Sequence, residues 1–138
     1  MSKLLVDTNV VLDLLAKREP FYDAAAVLFS LADKKEVKLS ISSLTFANTS
    51  YVLTRLLPVD KTREILRRFR LLVEVLPLDD KVIDLALNDP GFMDFEDGLQ
   101  YYPALEHGQE IIITRDLRGF KESRLPVMTP EEYLISIE

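Results

Sequence analysis

Short apolar runs alternate with helical stretches along the whole chain, and this alternation restricts the fold more than any other feature. Most of the apolar runs have the length of buried strands, and most of these are followed by apolar residues at helical spacing. Strands that alternate with helices form a mostly parallel sheet with helices on both faces. The sequence therefore predicts an α/β fold, with strands in KLLVD, VKLSIS, LLVEVLP, EIIITRD and LPVMT.

Length and composition set the class of protein. At 138 residues the chain can bury a core of its own, and we expect residues 1–138 to form a single domain. No apolar run approaches the roughly 18 residues that a membrane helix needs. Asp7 and Asp13 interrupt the apolar N-terminal stretch, which argues against a secretory signal. We therefore expect a cytoplasmic protein that makes no membrane contact.

The residue types that are missing narrow the chemistry. The chain has no cysteine, which excludes disulfides and thiolate metal sites, and its one histidine argues against a His-rich zinc site. The formal net charge of −6 argues against a passive coat for nucleic acid. It remains compatible with an enzyme whose bound cations make the active site positive.

Three acids lie at the ends of predicted strands or at the start of a predicted helix. Asp7 directly follows the strand LLV, and Asp116 follows the strand IIIT by one residue. Asp97 lies at the start of a helix predicted from about Asp94 to Glu106, which leads into that second strand. The carboxyl ends of parallel strands meet at one edge of a sheet, and the connecting helices begin there. We therefore expect these three carboxylates to converge.

Converging carboxylates repel one another unless something neutralises them. No lysine in the sequence stands out as the neutraliser. A hard divalent cation with oxygen ligands, Mg²⁺ or Mn²⁺, is the direct remedy. A water on such an ion can act as a nucleophile while the ion stabilises phosphate charge. The pattern therefore suits hydrolysis of a phosphodiester.

Each acid also has a purely structural interpretation. Asp94 and Asp97 have the spacing of an N-cap and a capping-box acid. Asp7 could form a turn with Thr8 and Asn9, and TRD could be a solvated loop. The joint pattern favours a shared site, because two acids end strands and the third begins the connecting helix.

Four motifs in this order resemble the PIN domain family: LLVDTNVVLDLL, SLTFANTSYVL, DFEDGLQYYPALEHG and IIITRDLRGF. The family includes the VapC-type toxin ribonucleases and proteins long labelled by similarity to a PilT N-terminal domain. The resemblance covers nearly the whole chain. It implies a three-layer α/β/α sandwich around a mostly parallel sheet of four to five strands. It also implies a Mg²⁺- or Mn²⁺-dependent endoribonuclease with an RNA substrate, an antitoxin partner and a homodimeric state.

The resemblance also implies roles for individual residues. Asp7, Asp97 and Asp116 correspond to the catalytic, metal-binding acids, and Asp94 is a further candidate ligand. Supporting roles fall to residues of the matching motifs, namely Thr8, Asn9, Asn48 and Thr114. Arg115 and Arg118 flank Asp116 and are candidates for contact with RNA phosphates.

One departure from the family pattern leaves a second function open. The family usually places a glutamate on the helix after the second strand, where this chain has Asn48. An amide can offer its carbonyl oxygen to a cation or a water, but it brings no negative charge. The alternative is a PIN-fold binding module with weak or no catalysis.

Other acidic doubly wound domains fit less well. An aspartate-nucleophile phosphatase needs a second acid two residues after the first, where this chain has Asn9. A phosphoacceptor receiver needs a lysine just after a late strand, and LPVMTPEEY contains none.

Overall fold

The strands form one five-stranded sheet, and a computed structural model describes all 138 residues. The strand order is β3–β2–β1–β4–β5, and every neighbouring pair is parallel. The sheet is thus entirely parallel and has five strands, at the upper end of the predicted four to five. The strand bounds are β1 Ser2–Val6, β2 Val37–Ser42, β3 Val73–Leu76, β4 Ile111–Ile113 and β5 Val127–Met128.

Helices cover both faces of this sheet, which confirms the predicted three layers. Leu4 and Val6 pack into one core and Leu5 into the other, because successive side chains of a strand point to opposite faces. None of the helices combines the length and apolar character that crossing a bilayer would require. The helix bounds are α1 Thr8–Leu15, α2 Tyr22–Asp33, α3 Ser43–Thr54, α4 Val59–Arg70, α5 Asp80–Leu87, α6 Phe95–Glu106 and α7 Pro130–Ser136, with a 3₁₀ turn at Arg118–Phe120.

The strand order changes direction between β1 and β4, and this places the candidate site. From β1 the chain moves to β2 and β3 on one side, and β4 and β5 then add on the other side. Ligands of such sheets bind outside the carboxyl ends of the strands at this switch point. Val6 pairs with Ile113, so Asp7 and Thr114 leave the sheet side by side.

Helix α6 brings the third predicted acid to the same edge. Asp94 caps the helix by accepting the Glu96 backbone N–H at 2.9 Å, as the sequence predicted. Gly108 follows the helix with a φ of 67°, a left-handed conformation that glycine adopts without strain. The chain then enters β4, so α6 runs antiparallel to the strands and begins at their carboxyl edge.

Candidate metal centre

Hydrogen bonds from two loops hold the Asp7 carboxylate. One oxygen, Oδ1, accepts the Thr8 backbone N–H at 2.7 Å. The other, Oδ2, accepts the Thr114 hydroxyl at 2.8 Å and the Asn9 side-chain amide at 3.2 Å. Asp7 is only 8% exposed, and this burial raises the pKa of its carboxyl group despite the bonds from Thr114 and Thr8. Residues of the DTN segment (Thr8 and Asn9) and of the TRD segment (Thr114) thus all donate hydrogen bonds to the Asp7 carboxylate.

The loop after β4 folds back on itself and positions Asp116. The Asp116 backbone N–H donates to the Thr114 hydroxyl oxygen at 2.9 Å, and the Arg115 backbone N–H donates to the Asn9 side-chain oxygen at 3.3 Å. Asp116 Oδ1 in turn accepts the Gly119 backbone N–H at 3.1 Å. Asn9 and Thr114 therefore tie the Asp116 loop to Asp7.

Asp97 is not the capping-box acid that its spacing allowed. Its carboxylate makes no hydrogen bond and no ion pair, while Asp94 alone caps the helix with its side chain. Burial raises the pKa of Asp97 to about 7, and the nearby negative charges of Asp7, Asp94 and Asp116 add to the rise. The ionised form of the Asp97 carboxylate is therefore destabilised unless a cation lies near it. A capping role does not account for an acid in such crowded surroundings.

Asp97 and Asp116 face one small space across Gly119. A Cβ atom on Gly119 would lie 2.5 Å from Oδ2 of Asp116 and 2.6 Å from Oδ2 of Asp97. Two carboxylate oxygens from different elements therefore lie close to each other, against the same side of Gly119. The surrounding cavity of about 280 Å³ is lined by Gly91, Met93, Asp94, Asp97, Asp116, Arg118, Gly119 and Lys121.

This donor set fits a hard divalent cation. As the side chains stand, no three acidic or histidine groups lie close enough together to hold an ion jointly. Mg²⁺ does not require three protein ligands, because it usually takes one or two carboxylates and keeps several waters. The Asp97 and Asp116 oxygens supply that pair, and Asp7 adds charge beside them. None of the three acids is neutralised by an ion pair within the protein.

Two buried polar residues at this site were not predicted from the sequence. The Thr45 and Thr8 hydroxyl oxygens lie 3.0 Å apart, and the Gln100 amide nitrogen donates to both at 3.2 Å. Thr45 lies one helical turn before Asn48, and Gln100 lies one helical turn after Asp97. This spacing from predicted site residues is the only feature of the sequence that points to them. Asn48 itself is half-buried on α3, and its side chain forms no hydrogen bond with the protein.

Arg115 has a contact that the sequence did not predict. Its guanidinium donates to both carboxylate oxygens of Asp13 at 2.7 and 3.1 Å, and it lies 3.7 Å from the centre of the Phe21 ring. Asp13 is 1% exposed and also accepts Arg18 Nε at 3.0 Å. An arginine that binds a buried carboxylate with two hydrogen bonds and stacks on an aromatic ring has a structural role. Of the two predicted RNA contacts, Arg118 alone lines the acidic cavity.

Lys121 is the cation that the sequence did not single out. It lines the same cavity as Arg118, and its backbone N–H donates to the Arg118 carbonyl oxygen at 3.3 Å across the 3₁₀ turn. Side chains three residues apart in a 3₁₀ turn leave from the same side. Neither cation forms an ion pair with the acids of the cavity, so both are available to an anion.

The sequence is similar to those of known proteins. A family model described as PIN domain matches residues 3–118. Ribonuclease VapC1 of Aquifex aeolicus (strain VF5) is 30% identical over 140 residues, which cover 96% of this chain and 93% of that protein.

Solved structures show the same fold at lower identity. DNA-bound VapBC from Salmonella typhimurium matches with a TM-score of 0.69 and 19% identity, over 94% of this chain and 99% of that one. A toxin–antitoxin complex from Klebsiella pneumoniae matches with a TM-score of 0.68 and 21% identity, over 92% of this chain and 97% of that one.

Proposed function

This chain belongs to the PIN domain family, and on that premise we propose that it is a Mg²⁺- or Mn²⁺-dependent endoribonuclease, the toxin of a toxin–antitoxin pair. One observation carries the proposal. Oδ2 of Asp97 and Oδ2 of Asp116 lie against the same side of Gly119, near Asp7 and at the switch point of the sheet. The 30% identity to a named ribonuclease supports RNA as the substrate class.

The proposed roles follow from the contacts. Asp97, Asp116 and Asp7 hold the cation, and Asp94 and Asn48 assist directly or through water. When bound, the cation supplies Lewis acidity and makes a water more acidic at neutral pH. Thr8, Asn9 and Thr114 orient the Asp7 oxygens through the hydrogen bonds described above. Proton and cation compete for Asp97, because its pKa is about 7 in the metal-free protein.

The proposal extends to partners and organisation. Complexes of VapBC type among the structural relatives support an antitoxin partner for this chain. We also propose that residues 1–138 act as one PIN domain, that the protein works as a homodimer and that it resides in the cytoplasm.

Cleavage of a mixed RNA pool tests the proposed function. The purified protein should shorten the RNA when Mg²⁺ or Mn²⁺ is present, and EDTA should stop the reaction. An excess of the metal after EDTA should restore it. RNA that stays intact with both ions, at protein concentrations where the fold is verified by circular dichroism, would overturn the proposal.

The two free cations of the cavity give a separate prediction. Arg118→Ala and Lys121→Ala should each weaken RNA binding and raise KM, with a smaller effect on kcat. Loss of one phosphate contact should reduce the slope of log affinity against log salt by about 0.7 for single-stranded RNA. Lys34→Ala, an exposed cation at the end of α2, is the matched control and should leave the slope unchanged. Salt slopes equal to the wild-type value in both cavity variants would contradict the assignment.

A further inference from the structure

Three side chains from three separate segments meet in one hydrogen-bonded junction beside the acids. Thr8 begins α1, Thr45 lies in the first turn of α3, and Gln100 lies in α6. The two hydroxyl oxygens are 3.0 Å apart, and the Gln100 amide nitrogen is 3.2 Å from each. A single amide group therefore links the three segments.

Each of these segments carries a residue of the proposed metal site. Thr8 follows Asp7 and donates its backbone N–H to that carboxylate at 2.7 Å. Gln100 lies one turn after Asp97 on α6, and Thr45 lies one turn before Asn48 on α3. A shift of any one segment would therefore both move a residue of the site and strain the hydrogen bonds of the junction.

Packing alone does not explain an amide at this position. Gln100 is 3% exposed, and its Oε1 atom has no hydrogen-bond partner. A buried polar atom without a partner destabilises the folded state. A methionine has nearly the same length, fills the same space and brings no polar atom that must be satisfied. The cost of this unpartnered oxygen offsets the stability that the amide gains from its two contacts, so fold stability by itself gives no clear preference for glutamine over methionine here.

We infer that Gln100 is a positioning residue that sets the placement of Asp97 relative to Asp7, and through it the affinity of the site for a divalent cation. The inference rests on the proposed metal site. Gln100 does not line the acidic cavity, so it acts through the residues that it positions. Its amide nitrogen lies within hydrogen-bond distance of both the Thr8 and the Thr45 hydroxyl, and these contacts fix how α6 sits against the start of α1 and α3.

Mn²⁺ titration of the Gln100→Met protein by calorimetry, without RNA, tests this role. Partners that orient metal ligands typically contribute 10- to 100-fold in affinity. We expect the Kd for Mn²⁺ to rise about tenfold or more, while the melting temperature of the metal-free protein stays level or increases. RNA cleavage should fall at low Mn²⁺ and recover at saturating Mn²⁺, because the metal ligands themselves are intact.

Thr45 offers a second pair of variants that does not depend on Gln100→Met folding well. Thr45→Val removes the hydroxyl and keeps the shape, and it should also weaken Mn²⁺ binding. Thr45→Ser keeps the hydroxyl and should bind Mn²⁺ as the wild type does.

The chain contains a matched control in Gln109. It is also buried, at 5% exposed, its Oε1 also has no partner, and its amide donates to the His107 carbonyl oxygen, away from the acids. Gln109→Met should therefore leave Mn²⁺ affinity unchanged. Equal losses of Mn²⁺ affinity in both glutamine variants, or wild-type affinity in Gln100→Met, would overturn the role of Gln100 but not the proposed metal site. A wild-type protein that binds no Mn²⁺ would overturn the metal site and the inference together.

Discussion

Asp97→Asn is expected to reduce RNA cleavage in Mn²⁺ at least about a hundredfold, since losing a ligand should cost more than losing a partner that orients one. The same change should raise the melting temperature of the metal-free protein at pH 8. The two effects have one cause. The Asp97 carboxylate is crowded by Asp7, Asp94 and Asp116, and no cation of the protein pairs with it.

The direction of the stability change follows from linkage. The pKa of Asp97 rises from 3.8 to about 7 on folding, first because of burial and then because of Asp7. Between these values the folded state keeps a proton that the unfolded state has lost, so metal-free stability falls as the pH rises. Above pH 7 the whole cost is present, and asparagine removes it.

The size of the effect is moderate because Asp97 is partly exposed to solvent. After allowing for that screening we expect a gain of about 3–6 °C at pH 8, and no gain below pH 4. Saturating Mn²⁺ should reverse the order, because it stabilises the wild type and not the variant. Differential scanning fluorimetry with and without Mn²⁺, at pH 4 and pH 8, measures all four states.

Glu96→Gln is the matched control for Asp97→Asn. It removes a neighbouring negative charge from the first turn of α6, but Glu96 is exposed and does not line the cavity. Its cleavage rate should stay close to that of the wild type. Asp97→Asn with full activity, or with no change in the response to Mn²⁺, would contradict the assignment of Asp97.

Gly119→Ala should disable the site without replacing any of its acidic residues. The added methyl group would lie 2.5 Å from Oδ2 of Asp116 and 2.6 Å from Oδ2 of Asp97, inside van der Waals contact with both. It must push the two carboxylates apart and fill the space that their oxygens face. Displacements of about 1 Å in a catalytic arrangement can cost a hundredfold, so we expect a loss of that order in cleavage.

The fold should tolerate this substitution. Gly119 is not among the residues with left-handed backbone, so alanine brings no backbone strain there. The metal-free melting temperature should therefore stay within a few degrees of the wild-type value, while the Kd for Mn²⁺ rises at least about tenfold. Unchanged Mn²⁺ affinity in Gly119→Ala would show that the ion does not bind between Asp97 and Asp116.

Positions at the ends of strands were the part of the site most open to prediction. Apolar runs mark the strands, and parallel pairing brings their carboxyl ends to one edge. The proximity of Asp7 and Asp116 could therefore be predicted from the sequence alone. The helix start at Asp94 was equally accessible, because its capping chemistry is local. The choice between capping and another role for Asp97 needed the structure, in which its carboxylate makes no hydrogen bond.

Contacts that depend on the rotation of a helix or the course of a loop could not be predicted. The Gln100 amide reaches Thr8 and Thr45 only because of how α6 and α3 are turned. The Asp13 carboxylate binds the Arg115 guanidinium, although the two residues lie 102 positions apart in sequence. Lys121 enters the cavity through a 3₁₀ turn for which the sequence carries no periodic signal.

Anomalous scattering from a crystal soaked in Mn²⁺ tests most directly whether Asp97, Asp116 and Asp7 hold one divalent cation, as we propose. We expect a peak about 2.0–2.6 Å from an oxygen of Asp97 and from one of Asp116, with Asp7 bound directly or through a water. An occupied Mn²⁺ site elsewhere, or no peak near these acids at a saturating concentration, would contradict it.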